Sequence, residues 1–277
     1  MQWWCAALGE TWTWNWRAYP GVWLFVIGVA LLFRWIPGKG SWRQAKTGER
    51  VAFVVGVVVL WLSLDWPLGP IAAGYLASAH ALQFLLVTMV AAPLILLGAR
   101  TGTAENLPRR AIARFFPSTA GKVHTGVTMI VHPIVAVIIF NAIVAATHVP
   151  TVVDTLMPTA SGAFLVDLGW LAGGLIYWWP VIMPIPTYKV FGVPMKIVYL
   201  LLGTLFHTVI GMIMLSASTP LYGTYELAPP VFPIPPLADQ QLAGGIMELG
   251  VFFAIVIAVG VIFFRWAERD ERGLKPL

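Results

Sequence analysis

Seven long apolar runs divide this 277-residue chain, at residues 20–36, 51–65, 72–99, 125–147, 163–183, 197–217 and 244–266. A bilayer core takes roughly 20 apolar residues in a helix that rises about 1.5 Å per residue, and most of these runs are near that length. The second run is the shortest. With 59% of residues hydrophobic and only 10% charged, the chain has too little polar surface to coat a soluble globule. Closed barrels also span membranes, but they are written as short alternating strands rather than near-continuous apolar blocks. The fold class that follows is all-α: a polytopic membrane protein with seven transmembrane helices.

The cations orient it. Sixteen of the seventeen Lys and Arg residues fall at or between the ends of alternate runs, or in the tail. Arg34, Lys39, Arg43, Lys46 and Arg50 join runs one and two. Arg100, Arg109, Arg110, Arg114 and Lys122 join three and four, Lys189 and Lys196 join five and six, and Arg265, Arg269, Arg272 and Lys275 end the chain. The other gaps hold none, and the start has only Arg17, so the positive-inside rule puts the N-terminus outside and the C-terminus in the cytoplasm. Three stretches result: an outer Trp-rich interfacial segment 1–19, a membrane domain 20–266 and a charged cytoplasmic tail 267–277.

The first of these carries Trp3, Trp4, Trp12, Trp14 and Trp16, which read as an aromatic belt, and it lacks the basic region and cleavage site of a signal peptide. The net charge of +5 resides in short juxtamembrane loops, where anionic lipid headgroups and not nucleic acid are the partner. Cys5 is alone, so no internal disulfide and no cysteine pair for a metal exist. Residues 218–243 include the Pro-rich stretch 228–236, which reads as an extended lid on the outer side.

Polar groups inside lipid mark where to look for chemistry. Counting roughly 20 residues outward from each cytoplasmic end brings His80, His148, Asp167 and Glu248 to one outer level, with Asp239, Gln240 and Gln241 arriving from the lid. His80, Gln83 and Phe84 share a helix face. Such a set can bind a transition metal, relay protons or hydrogen-bond helices together. His80, His148 and Asp167 are the candidate metal ligands, and Gln83, Asp239, Gln240, Gln241 and Glu248 the remaining polar core. Asp167 requires a partner, and His80 on a neighbouring helix is the one expected. His132 precedes Pro133, and its ring reads as serving a carbonyl freed by the kink. His207 lies deeper. Membrane histidines on separate helices also keep a bis-histidine haem open, while Met212 and Met214 point to different faces and read as packing. No phosphate-binding Gly-Lys-Ser/Thr loop, Gly-x-Ser-x-Gly elbow, Cys-x-x-Cys or His-Glu-x-x-His occurs, and no catalytic residue is assigned, so an enzyme is not expected.

Several words occur in a telling order: Ser78-Ala-His80-Ala-Leu-Gln83-Phe84, Ala92-Pro93, His132-Pro133, Asn141, His148-Val-Pro150, Gly174 to Trp178-Trp179-Pro180, Pro220-Leu-Tyr222 and Asp239-Gln-Gln-Leu-Ala-Gly244. The chain resembles the CtaG family of bacterial cytochrome c oxidase assembly factors, seven-helix membrane proteins associated with maturation of the oxidase copper centres. The resemblance implies a bacterial plasma-membrane protein, an oxidase-like membrane client and copper as the metal. It departs from the family where His-x-x-Gln-His reads His80-x-x-Gln83-Phe84, and where His-x-x-x-His reads Ala163 and Asp167. Copper(I) prefers soft donors, so the expectation is weak or absent copper binding and a role exercised by protein contact. Two other readings stand beside an assembly factor: a permanent structural subunit of a respiratory or photosynthetic complex, and a membrane haem-binding or transport protein.

Overall fold

The computed structural model describes residues 2–35, 45–99, 126, 128–183 and 192–272, and every secondary-structure element among them is helical. Most of the cations that orient the chain, from Lys39 and Arg43 through Arg100–Lys122, Lys189 and Lys275, lie outside the described residues. In chain order the helices are α1 (Pro20–Trp35), α2 (Thr47–Leu64), α3 (Leu68–Gly74), α4 (Ala77–Leu85), a π-helical turn (Leu86–Ala91) and α5 (Ala92–Ala99). There follow α6 (Pro133–His148), α7 (Pro150–Leu156), α8 (Ala160–Ile182), α9 (Val193–Leu202), α10 (Leu205–Ser216), α11 (Gly223–Glu226) and α12 (Pro236–Glu271).

Five helical stretches are long and apolar enough to cross a membrane, and a sixth joins them if the bent pair α6 and α7 counts as one span. The pair turns by 72° at Val149-Pro150. Proline at the first position of α7 lacks the N–H that would continue α6. The run that becomes α1 is only 16 residues as a helix.

Three boundaries differ from the sequence expectation. The third run does not begin at residue 72, because Leu76 is extended and α3 ends before it. The new helix α4 starts where the Asp239 carboxylate accepts the N–H of Ala77 at 2.6 Å, capping it from another helix. The last helix starts at Pro236 rather than 244, so Asp239, Gln240 and Gln241 lie in its first turns and not in a lid. It also runs to Glu271, so the first part of the expected tail continues the helix. At the other end, segment 1–19 is not wholly interfacial. Trp14 and Trp16 are 57% and 58% exposed, but Trp4 is 0% exposed and inserted in the bundle.

The runs alternate in direction. Trp3, at the start of the chain, accepts the N–H of Gly21 at the start of α1, and Cys5 donates to the carbonyl of Leu64 at the end of α2. The starts of α4, α8 and α12 and the ends of α6 and α10 meet at this same end, as the contacts below show. Within the bundle α12 packs on α10 and α4, α2 on α5, and α8 on α6 and α5. Close approach needs glycine at two of these seams. A Cβ on Gly244 of α12 would stand 2.7 Å from the carbonyl oxygen of Gly211 on α10, and one on Gly98 of α5 would strike Phe53 of α2. Small residues let membrane helices pack backbone to backbone, where dispersion and not water exclusion holds them.

The π-helical turn has an identifiable cause. In its i→i+5 pattern the N–H of Ala92 bonds the carbonyl of Val87, so the next carbonyl, Thr88, would await residue 93. That residue is Pro93, which has no N–H. The indole N–H of Trp178 on α8 takes its place, donating to the Thr88 oxygen at 3.0 Å.

Candidate functional site

The Asp239 cap fixes where α4 begins and so places His80 one turn inside it, with Gln83 and Phe84 on the following turn. Ser78 adds its hydroxyl to the same carboxylate. An anion at a helix N-terminus also faces the positive end of the helix dipole. Gln240 accepts the N–H of Leu221 at 2.6 Å and donates to the Met214 carbonyl, while Gln241 donates to the carbonyl of Ala217. The Asp-Gln-Gln word therefore ties α12 to α4, to the end of α10 and to the chain beyond it.

Asp167 is buried on α8, with both oxygens used. One accepts the indole N–H of Trp4 at 2.8 Å, the other the side-chain amide of Gln83 at 3.3 Å. Its partners are thus neutral donors, and His80 is not among its hydrogen-bond partners. His80 instead packs its ring against Trp170 at 4.7 Å, Tyr225 at 5.7 Å and His148 at 6.3 Å between centroids, and neither of its ring nitrogens has a hydrogen-bond partner. His148, the last residue of α6, uses Nδ1 toward the carbonyl of Val144 at 2.8 Å, which leaves its Nε2 as a buried acceptor with no partner. A donated Nδ1–H fixes the tautomer and points the free lone pair away from the helix's own backbone.

His80 and His148 line one small cavity together with Met214, Met247, Tyr222 and Tyr225. The volume open to the centre of a water-sized sphere is about 10 Å³, room for about one water or one ion and not for a macrocycle. Its cover is α11, not the Pro-rich stretch. Asp154 holds that short helix by accepting the N–H groups of Gly223 and Thr224 and the Thr224 hydroxyl, at 3.1, 2.8 and 2.8 Å. From it Tyr222 donates to the His148 carbonyl at 3.0 Å and Tyr225 to the Ala72 carbonyl at 2.9 Å. Burial, with Asp154 nearby, pushes the Tyr222 phenol up to about 12, and burial drives Tyr225 well up, so both remain donors.

His207 stands closer to the site than its depth suggested. Its ring lies between Phe84 at 5.4 Å and Phe140 at 5.3 Å, with both nitrogens unpartnered. Phe84, fully buried, also meets His148 at 5.2 Å and so fills the space among the imidazoles. Glu248 does not line the cavity; its carboxylate packs against Gly211, with Oε1 buried and unpartnered. His132 caps α6, its Nδ1 accepting the N–H of Ile134 at 3.3 Å, a role the kink argument did not supply. Of the two methionines near His207, Met212 is 53% exposed and Met214 4%.

Among the described residues no three His, Cys, Asp or Glu side chains gather as a metal site. Of the three candidate ligands, the cavity unites His80 and His148, while Asp167 is engaged elsewhere. The sequence reading missed Trp4, Tyr225 and Met247. Only Met247 carried a signal, lying one position before Glu248 on the helix of the Asp-Gln-Gln word.

A family profile described as cytochrome c oxidase caa3 assembly factor matches residues 23–269. The chain belongs to that family. No curated protein and no solved structure matches it significantly. The matched stretch holds every candidate residue from His80 to Glu248 and leaves out Trp4. Membership in this caa3 assembly factor family, with several helices able to span a bilayer, makes the chain a multi-pass membrane protein with a membrane-protein partner.

Proposed function

We propose that this protein is a non-catalytic assembly factor that acts on a membrane-embedded oxidase subunit by helix contact in the bacterial plasma membrane, with seven spans, the N-terminus outside and the C-terminus in the cytoplasm. The observation that carries this reading is the family match over residues 23–269. The geometry supports contact rather than chemistry: Asp167, Asp239, Gln240 and Gln241 spend their polar atoms on joining elements, and Leu249, Phe252, Phe253 and Ile257 leave a broad apolar face on α12. Deleting the gene should lower the assembled oxidase in membranes, read from its haem absorbance and activity. The tagged protein should retain oxidase subunits only during assembly. Stoichiometric retention in the mature complex would make it a permanent subunit instead.

A second reading rests on the cavity. Two imidazoles with unpartnered nitrogens, His80 and His148, and two thioethers, Met214 and Met247, are a donor set that suits copper(I) better than the His80, His148 and Asp167 trio, because Asp167 is hard and held by Trp4 and Gln83. These four residues would hold the ion, which when bound would be available for the oxidase copper centres. Titrating the purified protein with copper(I) against a competing chelator separates the readings. Contact alone predicts weak binding that is unchanged in His80→Ala and strengthened in Phe84→His. A copper role predicts binding lost in both His80→Ala and Met214→Leu.

A further inference from the structure

Glu248 is the one acid on α12 between Asp239 and Glu268, and the fold gives it no partner. Counting up the helix from Arg265, it stands about 26 Å along, inside an apolar core of about 30 Å. No hydrogen bond among the described residues reaches either oxygen. Gly211 of α10 makes room for the group: a Cβ there would stand 2.6 Å from Oε1. Oε1 is thereby enclosed, but the side chain as a whole is only half-buried, and Oε2 is left at the open side of the seam between α10 and α12.

The seam around it has the shape to take another helix. Gly245 and Phe252 lie one turn to either side of Glu248 on the same face of α12, and Thr208 and Leu215 do the same about Gly211 on α10. Phe252, Thr208 and Leu215 are exposed, and a Cβ on Gly245 would meet nothing within 4 Å, so a foreign backbone can come close there. An unpaired carboxyl inside lipid is costly, and apolar tails offer it nothing. A second copy of this chain cannot supply the missing cation. The sequence places sixteen of its seventeen Lys and Arg at the opposite end of the runs, and Arg17, the exception, already donates to Glu10 at 2.8 Å.

We propose that the seam between α10 and α12 docks a transmembrane helix of the oxidase client that carries a Lys or Arg near its outer end, and that this cation pairs with Oε2 of Glu248. The inference rests on the reading of the protein as an assembly factor working by helix contact, and it names where that contact is made. Photo-crosslinking in membranes of cells assembling the oxidase tests it. The full-length protein carries p-benzoylphenylalanine in place of Phe252 or, as a control, of the exposed Leu24 on α1. The seam probe should capture an oxidase membrane subunit, and the control should not. Glu248→Gln, which keeps the size and loses the charge, should cut the yield about fivefold. Gly245→Leu fills open space without disturbing a contact inside the protein, and should cut it as far by blocking the approach. Glu248→Lys combined with Glu in place of the client's cation should restore the yield that either change alone removes. Capture of the oxidase subunit at Leu24 and not at Phe252 would overturn the seam while leaving the assembly role intact. A full yield in Glu248→Gln would overturn the cation, and adducts of Phe252 with lipid or a second copy alone would overturn the client helix. An oxidase that assembles normally without the gene would instead remove the reading on which the site rests.

Discussion

Trp4 is one of five tryptophans in the first nineteen residues, and its chemistry is set by what lies opposite it rather than by its own neighbours in sequence. Its N–H and the Gln83 amide are the donors that hold the buried Asp167 carboxylate. Trp4→Phe keeps the ring packing against Phe25 and Phe164 and removes that donor, so it should lower stability in detergent by about 1–3 kcal/mol. Trp14→Phe, at an exposed ring, should stay within about 0.5 kcal/mol in the same unfolding measurement. Cys5 gives a second check. Burial, and then the carboxylates of Asp167 and Asp65, hold its thiol well above the ordinary value. A raised value favours the neutral form in the folded state, so its contribution is complete below the unfolded thiol's value and is lost as pH rises toward the folded one. Iodoacetamide at pH 8 should therefore leave the native thiol unmodified and alkylate it promptly once the chain is unfolded; fast native labelling would mean that segment 1–19 does not stay in the bundle. The sequence could place His80, His148 and Asp167 at one depth because helical rise converts residue counts into height. It could not give their rotation about each helix axis. That is why His80 and His148 came out as cavity neighbours while Asp167 turned to Gln83 and Trp4.

Helices were legible as elements, but two of their devices were not. Pro235-Pro236 reads as extended chain, yet proline also suits the first position of a helix, and α12 begins there. The consequence is that Asp239 sits in a helical first turn and caps α4 across the interface. Asp239→Ala should cost about 1–2 kcal/mol by the loss of that cap, with oxidase maturation falling alongside because the start of α4 positions His80. Asp239→Asn, which keeps an acceptor, should recover part of both; identical losses in the two variants would mean that the charge and not the cap matters. The π-helical turn was invisible because no local pattern announces an i→i+5 bond. Its trace in sequence is the pair Pro93 and Trp178, one lacking a donor and the other bringing one from α8. Trp178→Phe leaves the Thr88 carbonyl without its indole donor and should destabilise by about 1–3 kcal/mol, a loss seen as a lower midpoint in thermal unfolding.

Across the whole molecule, the up-and-down order is recorded at one end of the bundle. α4, α8 and α12 begin there with His80, Asp167 and Asp239, while α6 and α10 finish there with His148 and Met214. α2 also ends there at Leu64, against Cys5, whereas Lys46 and Arg50 flank its start and Arg265, Arg269 and Arg272 the finish of α12, at the opposite end. The alternation of apolar run and charged gap was readable because lipid admits few polar groups, and it required no knowledge of packing. The proposed orientation rests on the cations alone, and reporter fusions test it. A reporter fused after Asp154 or Glu226, each on the end that holds His80 and α11, should be active outside the cell, and one fused after Gln44 or Glu105 should be active in the cytoplasm. Converting Arg17 to Gln should leave all four results unchanged, since a single cation cannot outweigh the five between the first two runs. A cytoplasmic signal from the Glu226 fusion would break the seven-span count. It would also put the His80 cavity on the cytoplasmic side.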